Sequence, residues 1–135
     1  MLRLMADHDV EGHLDVLLRI WTSIRWRALW QALDCRIESF ERLGIRVDAS
    51  DAEVWQMCQD NEILLVTGNR NEESQLSLEA TIRNLGSARS LPVLTISRPG
   101  RVMKDSNYAE QVAERVLEFL IDLENLRGAG RLYVP

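Results

Sequence analysis

The chain has few cysteines, no long apolar run and no excess of basic residues. Its two cysteines, Cys35 and Cys58, form no CxxC pair and have no clustered histidines, so we expect reduced thiols and no disulfide or zinc site. No apolar run approaches the roughly 20 residues of a membrane helix, and the apolar stretch 2–6 is too short for a secretory signal. We therefore expect a cytoplasmic protein that does not enter a membrane.

The charge balance is acidic. A net charge of -5 and a pI near 5.1 argue against a broad basic surface for nonspecific binding of nucleic acid. They do not exclude a nuclease, because carboxylates that bind divalent cations make a site acidic, and the metal supplies the positive charge that a phosphodiester needs. With 135 residues, 46% of them hydrophobic, we expect one domain spanning residues 1–135.

Hydrophobic patterns predict alternating strands and helices. Residues 2–6 indicate a buried strand, and Glu62–Thr67 is the clearest strand because its apolar centre is continuous. Ser50 and Glu53 fit a capping box at a helix start. The other predicted elements are a helix from Val10 on, a helix Ser77–Asn84 ended by Gly86, a strand Leu91–Ile96, a turn at Pro99–Gly100, a helix from Ser106 to Gly128 and an edge strand Arg131–Val134. This alternation predicts a three-layer α/β fold, an open and mostly parallel sheet with helices on both faces.

Polar residues follow two of these strands. Asp7 comes after the first strand, and Thr67-Gly68-Asn69 ends the clearest one. The carboxyl ends of parallel strands share one edge of an open sheet, and ligands bind at that edge. Asp51 would reach the same edge if Ile45–Val47 is a strand, although the segment Arg36–Val47 fits a helix end, a strand or both.

Two stretches, LMADHDVEG (4–12) and SDAEVWQMCQDNEILLVTGNRN (50–71), resemble the PIN-like nuclease superfamily. Its small bacterial branch has an Asp after the first strand, an S-D-x-E-I/V helix start and an apolar strand ending in T-x-D. The resemblance covers about half of the chain, roughly residues 2–71. It implies a parallel sheet between helices and an Mg²⁺- or Mn²⁺-dependent ribonuclease, often a toxin. It also implies that Asp7 and Asp51 bind the metal and that Thr67 orients the site.

The sequence departs from this pattern at two positions. Asn69 stands where the pattern has Asp, and Asn71 stands where it often has a second Asp. An amide oxygen can ligate Mg²⁺ but brings no charge, so we expect weaker metal binding in a catalytic set of Asp7, Asp51 and Asn69. Asp9 is a further metal ligand by position, or else an acid that stabilises a helix N-terminus.

Other charged residues also have two interpretations. Arg70, next to Asn69, is the first choice for a phosphate contact, although arginines near acids often only balance charge. Arg98, Arg101 and Lys104 come second. Further acids that could reach the edge are Glu11, Glu72, Glu73 and Asp105, of which Asp105 also fits a helix cap. An acidic stripe at i, i+4 spacing, either solvated or facing a basic partner, is formed by Glu110, Glu114, Glu118 and Asp122.

Three functional hypotheses follow. The first is a metal-dependent ribonuclease acting on RNA. The second is a noncatalytic domain of the same fold that acts through an antitoxin-like protein partner or as a homodimer. The third is a receiver-like phosphoacceptor domain, because Asp7, Asp9, Asp51 and Thr67 follow one another in a suggestive order. The third agrees less well, since Asp51 opens a capping box and Arg98-Pro99 stands where a receiver has Lys before Pro.

Overall fold

One sheet of parallel strands organises the computed structural model, which describes residues 1–68 and 77–135. Within those residues the strands are β1 (Arg3–Ala6), β2 (Arg36–Glu38), β3 (Leu64–Thr67), β4 (Val93–Ile96) and β5 (Arg131–Val134). They are arranged in the order β2-β1-β3-β4-β5, and every neighbouring pair is parallel. This arrangement confirms the predicted α/β fold class.

Helices connect the strands. The described helices are α1 (Glu11–Trp21), α2 (Arg27–Leu33), α3 (Phe40–Leu43), α4 (Asp51–Asp60), α5 (Leu78–Leu85), α6 (Pro99–Lys104) and α7 (Ser106–Ile121). Short 3₁₀ turns lie at His8–Val10, before α1, and at Leu123–Leu126, after α7. None of the helices in the described ranges is long and apolar enough to cross a membrane.

The sheet is covered on both faces. Leu4 of β1 packs in one cluster with Trp21 of α1 and with the apolar side of α7, whereas Leu65 of β3 packs in a second cluster with Trp55 of α4 and with α5. All four of these side chains are buried, and full burial of a large apolar side chain contributes about 1.5–3 kcal/mol. The three layers hold the carboxyl ends of the strands at one edge.

The segment Ile45–Val47 is not a strand, so the expected route of Asp51 to that edge is wrong. The chain instead forms β2 earlier and then the short helix α3, which ends at Gly44 with a left-handed φ of 69°. The N–H of Ile45 donates to the carbonyl of Phe40 (2.9 Å), so this residue closes the helix end. Val47 is exposed, as an interior strand residue would not be.

Pro99–Gly100 was predicted as a turn and instead begins α6. Proline suits the first position of a helix, because its fixed φ is already helical and its missing N–H would have no partner within the helix. Three members of the predicted acidic stripe lie on α7, and Asp122 follows its last residue; some of these acids have partners. Glu110 accepts a hydrogen bond from the Trp26 indole (3.1 Å), and Glu118 pairs with Arg115 (3.2 Å).

Candidate functional site

Asp7 follows β1 directly at the carboxyl edge of the sheet. Its backbone N–H donates to the carbonyl of Val66 (2.7 Å), which extends the pairing of β1 with β3 by one residue. Its Oδ1 accepts from the N–H of His8 (2.8 Å), so Asp7 also caps the 3₁₀ turn before α1. Asp7 therefore lies at a strand end and at a helical start at once.

Thr67 links the carboxylates of Asp7 and Asp9. Its hydroxyl oxygen lies 3.0 Å from Oδ2 of Asp7 and 3.5 Å from Oδ1 of Asp9. A hydroxyl has one proton to donate, so the shorter contact is the stronger hydrogen bond. The N–H of Gly68 donates to Oδ2 of Asp9 at 3.2 Å. Two acids from the segment after β1 are thus held against the end of β3.

These contacts lie where the strand order reverses. The chain passes from β1 to β2 on one side of the sheet and then returns across β1 to β3 on the other side. Ligands of open α/β sheets bind in the crevice outside the carboxyl ends at such a switch point. Asp7, Asp9 and Thr67 occupy this crevice.

Asp51 lines the same pocket from the first turn of α4. The pocket has a volume of about 410 Å³, and its lining residues are Asp7, His8, Asp9, Phe40, Val47, Ala49 and Asp51. Oδ2 of Asp51 accepts from the backbone N–H of Leu78 (3.1 Å), so this carboxylate also fixes the start of α5. The three acids predicted as metal ligands therefore line one pocket, and Asp51 reaches it on a helix rather than from a strand end.

Burial and like charge both act on the Asp7 carboxyl. Its pKa is raised above the ordinary value, mainly by burial and further by the negative charges of Asp9 and Asp51, while hydrogen bonds from His8 and Thr67 oppose the shift. The pKa of Asp9 is also raised, again mainly by burial. A site that disfavours its own negative charges in this way is stabilised by a cation.

The oxygen donors of this pocket suit a hard divalent cation such as Mg²⁺ or Mn²⁺. Across residues 1–68 and 77–135, however, no group of three His, Cys, Asp or Glu side chains is arranged to hold a metal ion. Asp7 and Asp9 share a hydrogen-bond donor, whereas Asp51 is bonded to the start of α5. The predicted metal site thus stays a prediction, with its three acids in one pocket.

Several other predicted residues lie elsewhere. The site residues that fall outside the described residues are Asn69, Arg70, Asn71, Glu72 and Glu73. Glu11 pairs with Nδ1 of His8 (2.7 Å) at the start of α1. Asp105 accepts from the N–H groups of Asn107 (3.1 Å) and Tyr108 (3.2 Å), which confirms the capping interpretation of this acid.

Gly68 and Pro99 belong to the site and were not predicted. A Cβ atom on Gly68 would lie 2.9 Å from Cγ of Pro99 and 3.0 Å from Oδ2 of Asp9. Only glycine allows the end of β3, the Asp9 carboxylate and the first residue of α6 to approach so closely. A glycine directly after a buried strand is the sequence signal that could have found this contact.

A scan against protein-family models, a search of curated proteins and a search of solved structures each give no match to this chain. The functional argument therefore depends on the geometry of the carboxylate pocket and on the motifs of the sequence itself.

Proposed function

We propose that this protein is a divalent-metal-dependent ribonuclease of the PIN-like superfamily. The observation that carries the proposal is the Thr67 hydroxyl, which lies 3.0 Å from a carboxylate oxygen of Asp7 and 3.5 Å from one of Asp9. Asp51 lines the same pocket, at the edge where open α/β sheets bind ligands. The resemblance of the motifs around Asp7 and Asp51 to that superfamily supports the same assignment.

The pocket residues would take distinct roles in this chemistry. Asp7 and Asp9 would hold Mg²⁺ or Mn²⁺, with Asp51 as the third acid. When bound, such a cation polarises a phosphodiester and makes a water molecule more acidic. Thr67 orients the two carboxylates, and the N–H of Gly68 fixes the outer oxygen of Asp9.

The raised pKa values of Asp7 and Asp9 also support a cation site. Two partly buried carboxyls that disfavour ionisation bind a cation in exchange for protons, so metal affinity should rise with pH through their titration. Asn69 supplies no charge, since it is an amide where the superfamily pattern has an acid. We therefore expect the metal to bind in the millimolar range, so assays of the purified protein should need a high metal concentration.

A receiver-like phosphoacceptor is the second candidate, because the order β2-β1-β3-β4-β5 is also that of receiver domains. A receiver needs an acceptor Asp at the end of a strongly apolar strand. The strand β3, which the sequence predicts most clearly, ends in Thr67, and Gly68 and Asn69 follow it. Asp51 begins a helix, which leaves the ribonuclease as the better supported function.

Ribonuclease activity is tested by incubating the purified protein with end-labelled RNA and Mn²⁺ or Mg²⁺, beside the Asp7→Asn variant purified in the same way. We expect cleavage by the wild type, loss of cleavage in Asp7→Asn and loss with a chelator. Asn69→Asp restores the acid of the superfamily pattern and should raise both metal affinity and the cleavage rate.

Equal cleavage by the wild type and Asp7→Asn would overturn the proposal, since it would come from a contaminant. If neither the wild type nor Asn69→Asp cleaves RNA, the noncatalytic hypothesis holds, with an antitoxin-like partner or a homodimer as the functional form. Two free cysteines and an RNA substrate both agree with a reducing, cytoplasmic setting.

A further inference from the structure

We propose that the groove between α1, α6 and the start of α7 binds the phosphate backbone of the RNA beside the carboxylate pocket. This inference rests on the proposed function and deepens it, because it names the path of the substrate. It is carried by the charges that line the groove and by the contact between α6 and the pocket.

Helix α6 connects the two places. Its first residue, Pro99, lies against Gly68 and Asp9 of the carboxylate pocket, since a Cβ on Gly68 would come within 2.9 Å of Pro99. Its last residue, Lys104, lines the groove. A helix of six residues is about 9 Å long, so Pro99 at the pocket and Lys104 in the groove are separated by roughly that distance along α6.

The groove is lined by both apolar and polar side chains. Its volume is about 480 Å³, and the apolar side chains that line it include Val16, Ile20, Val102 and Met103. Its charged side chains are those of Arg19, Lys104, Asp105 and Glu110. Such a lining offers apolar contact to a ribose and base and charged groups to the phosphates.

Both acids of the groove are already paired. Asp105 accepts from the Arg101 guanidinium (2.6 Å), which lowers the pKa of Asp105, and it caps α7 as well. Glu110 accepts from the Trp26 indole (3.1 Å) and lies 4.0 Å from a guanidinium nitrogen of Arg25. Asp105 thus forms an ion pair with Arg101, and Glu110 is held by a hydrogen bond beside Arg25.

Both cations of the groove are unpaired. In the part of the chain that the structure describes, no carboxylate or carbonyl accepts a hydrogen bond from the side chain of Arg19 or Lys104, and both residues are exposed. The groove is lined by two cations and two acids, but Arg101 and Arg25 lie against the acids, so Arg19 and Lys104 are left to meet an anion in a protein whose net charge is -5. A phosphate backbone is the anion that the neighbouring pocket would present to it.

The first experiment measures cleavage of RNA oligonucleotides of increasing length. Because Lys104 lies at the end of α6 far from the pocket, substrates long enough to reach it should gain kcat/KM over trinucleotides, and this gain should disappear in Arg19→Ala/Lys104→Ala. Each single variant should raise KM about fivefold with little change in kcat, as expected for uniform binding through an exposed charge. Arg83→Ala is the matched control, an exposed arginine of α5 on the opposite face of the sheet.

The second experiment locates the strand without cleavage. Lys104 is the only lysine of the sequence, so an RNA whose 3′ ribose has been oxidised to a dialdehyde has one side-chain amine to react with. The amine and the aldehyde form an imine with loss of water, and borohydride reduces it to a stable secondary amine. On Asp7→Asn protein we expect the crosslink at Lys104, and none in Lys104→Arg, which should still bind RNA with the wild-type salt dependence.

The two proposals fail in different ways. Cleavage by the wild type with unchanged KM and length dependence in Arg19→Ala/Lys104→Ala would overturn the groove and leave the ribonuclease standing. Crosslinking at Lys104 without any cleavage would support the groove and overturn the ribonuclease. If poly-glutamate binds as tightly as RNA and needs the same two cations, the groove docks an acidic protein, and the RNA path is wrong.

Discussion

The hydroxyl of Thr67 donates to the carboxylate of Asp7 across neighbouring parallel strands, at 3.0 Å, where both strands have just ended. Thr67 is fully buried, so its side chain cannot turn to solvent for another partner. The contact holds the partly buried carboxylate of Asp7. Burial raises the pKa of this group. Metal binding at Asp7, protonation of Asp7 and the stability of the folded protein should therefore depend on one another.

Asp7→Asn should stabilise the metal-free protein at neutral pH. The folded-state pKa of Asp7 is raised, chiefly by burial, so between the ordinary value of 3.8 and the raised one the folded protein binds more protons at this group than the unfolded chain. The contribution of Asp7 to the free energy of unfolding is thus complete below pH 3.8, and it is lost as the pH rises through the pKa of the folded state. An amide keeps one oxygen to accept from the N–H of His8, and its NH2 group can donate to the hydroxyl oxygen of Thr67, so we expect a Tm higher by roughly 4 °C at pH 7, a gain that shrinks toward pH 3.8.

Divalent metal should reverse this ranking. A ligand that binds only the folded state raises its stability, so millimolar Mg²⁺ or Mn²⁺ should raise the Tm of the wild type and leave Asp7→Asn unchanged. Asp15→Asn, at an exposed position of α1, is the control for loss of one negative charge. A lower Tm for Asp7→Asn than for Asp15→Asn at neutral pH without metal would contradict the predicted stabilisation, and an equal rise in Tm with metal in the two variants would contradict the predicted reversal.

Thr67→Val should weaken metal binding more than folding. The substitution keeps the shape of the buried side chain but removes the donor shared by Asp7 and Asp9, which costs about 1–3 kcal/mol because a carboxylate loses its partner. We expect the pKa of Asp7 to rise further, the metal-induced shift in Tm to fall and cleavage to drop at least about tenfold.

The matched control for this change is Thr81→Val. Thr81 is also buried, and its hydroxyl donates to the carbonyl of Ser77 (2.9 Å) at the start of α5, a hydrogen bond that involves neither Asp7 nor Asp9. Both variants should lose stability on urea titration, but only Thr67→Val should lose its response to Mn²⁺. If the two variants respond equally to Mn²⁺, Thr67 has no role in metal binding.

Much of the fold could be predicted because local patterns encode it. The continuous apolar run of β3 reports burial on both faces, and the Ser50 capping box is present, with its hydroxyl accepting from the N–H of Glu53 (3.2 Å). The strand β2 could not be predicted with the same methods. It has three residues, and Glu38 is buried in it through an ion pair with Arg3 (3.2 Å), so its sequence lacks the apolar alternation of a strand.

The site could be predicted only in part, for a related reason. Periodicity reports which face of an element is buried but carries no information on which strands are neighbours. The acids Asp7 and Asp51 were found from local motifs, whereas the approach of Pro99 to Gly68 depends on contacts between segments about 30 residues apart in the chain. Asn69 and its neighbours lie outside the described residues, so their predicted roles depend on the variants proposed above.

Gly68→Ala should disturb Asp9 without unfolding the protein. The added Cβ would lie 3.0 Å from Oδ2 of Asp9 and 3.3 Å from Cγ1 of Val10, so the carboxylate must move away from its N–H donor. We expect a weaker Mn²⁺ response and slower cleavage, with a stability loss of about 1–3 kcal/mol from overpacking. Gly12→Ala meets no atom within 4 Å in α1 and should instead add up to about 1 kcal/mol. The prediction is wrong if both variants keep the wild-type metal response.

Asp51→Asn and Asp51→Ala should separate the two roles of this residue. Its Oδ2 accepts from the N–H of Leu78 (3.1 Å), and the same carboxylate lines the pocket with Asp7 and Asp9. Asparagine keeps an acceptor for α5 but has no charge, whereas alanine has neither. We expect Asp51→Asn to fold with near wild-type stability and to need at least about tenfold more Mn²⁺ for cleavage, and Asp51→Ala to lose about 1 kcal/mol in addition. Urea titration and a Mn²⁺ dependence of the cleavage rate measure the two effects on the same samples. If Asp51→Asn cleaves RNA with unchanged metal dependence, Asp51 serves only to hold α5. Of the three proposed acids, only Asp7 and Asp9 would then bind the metal.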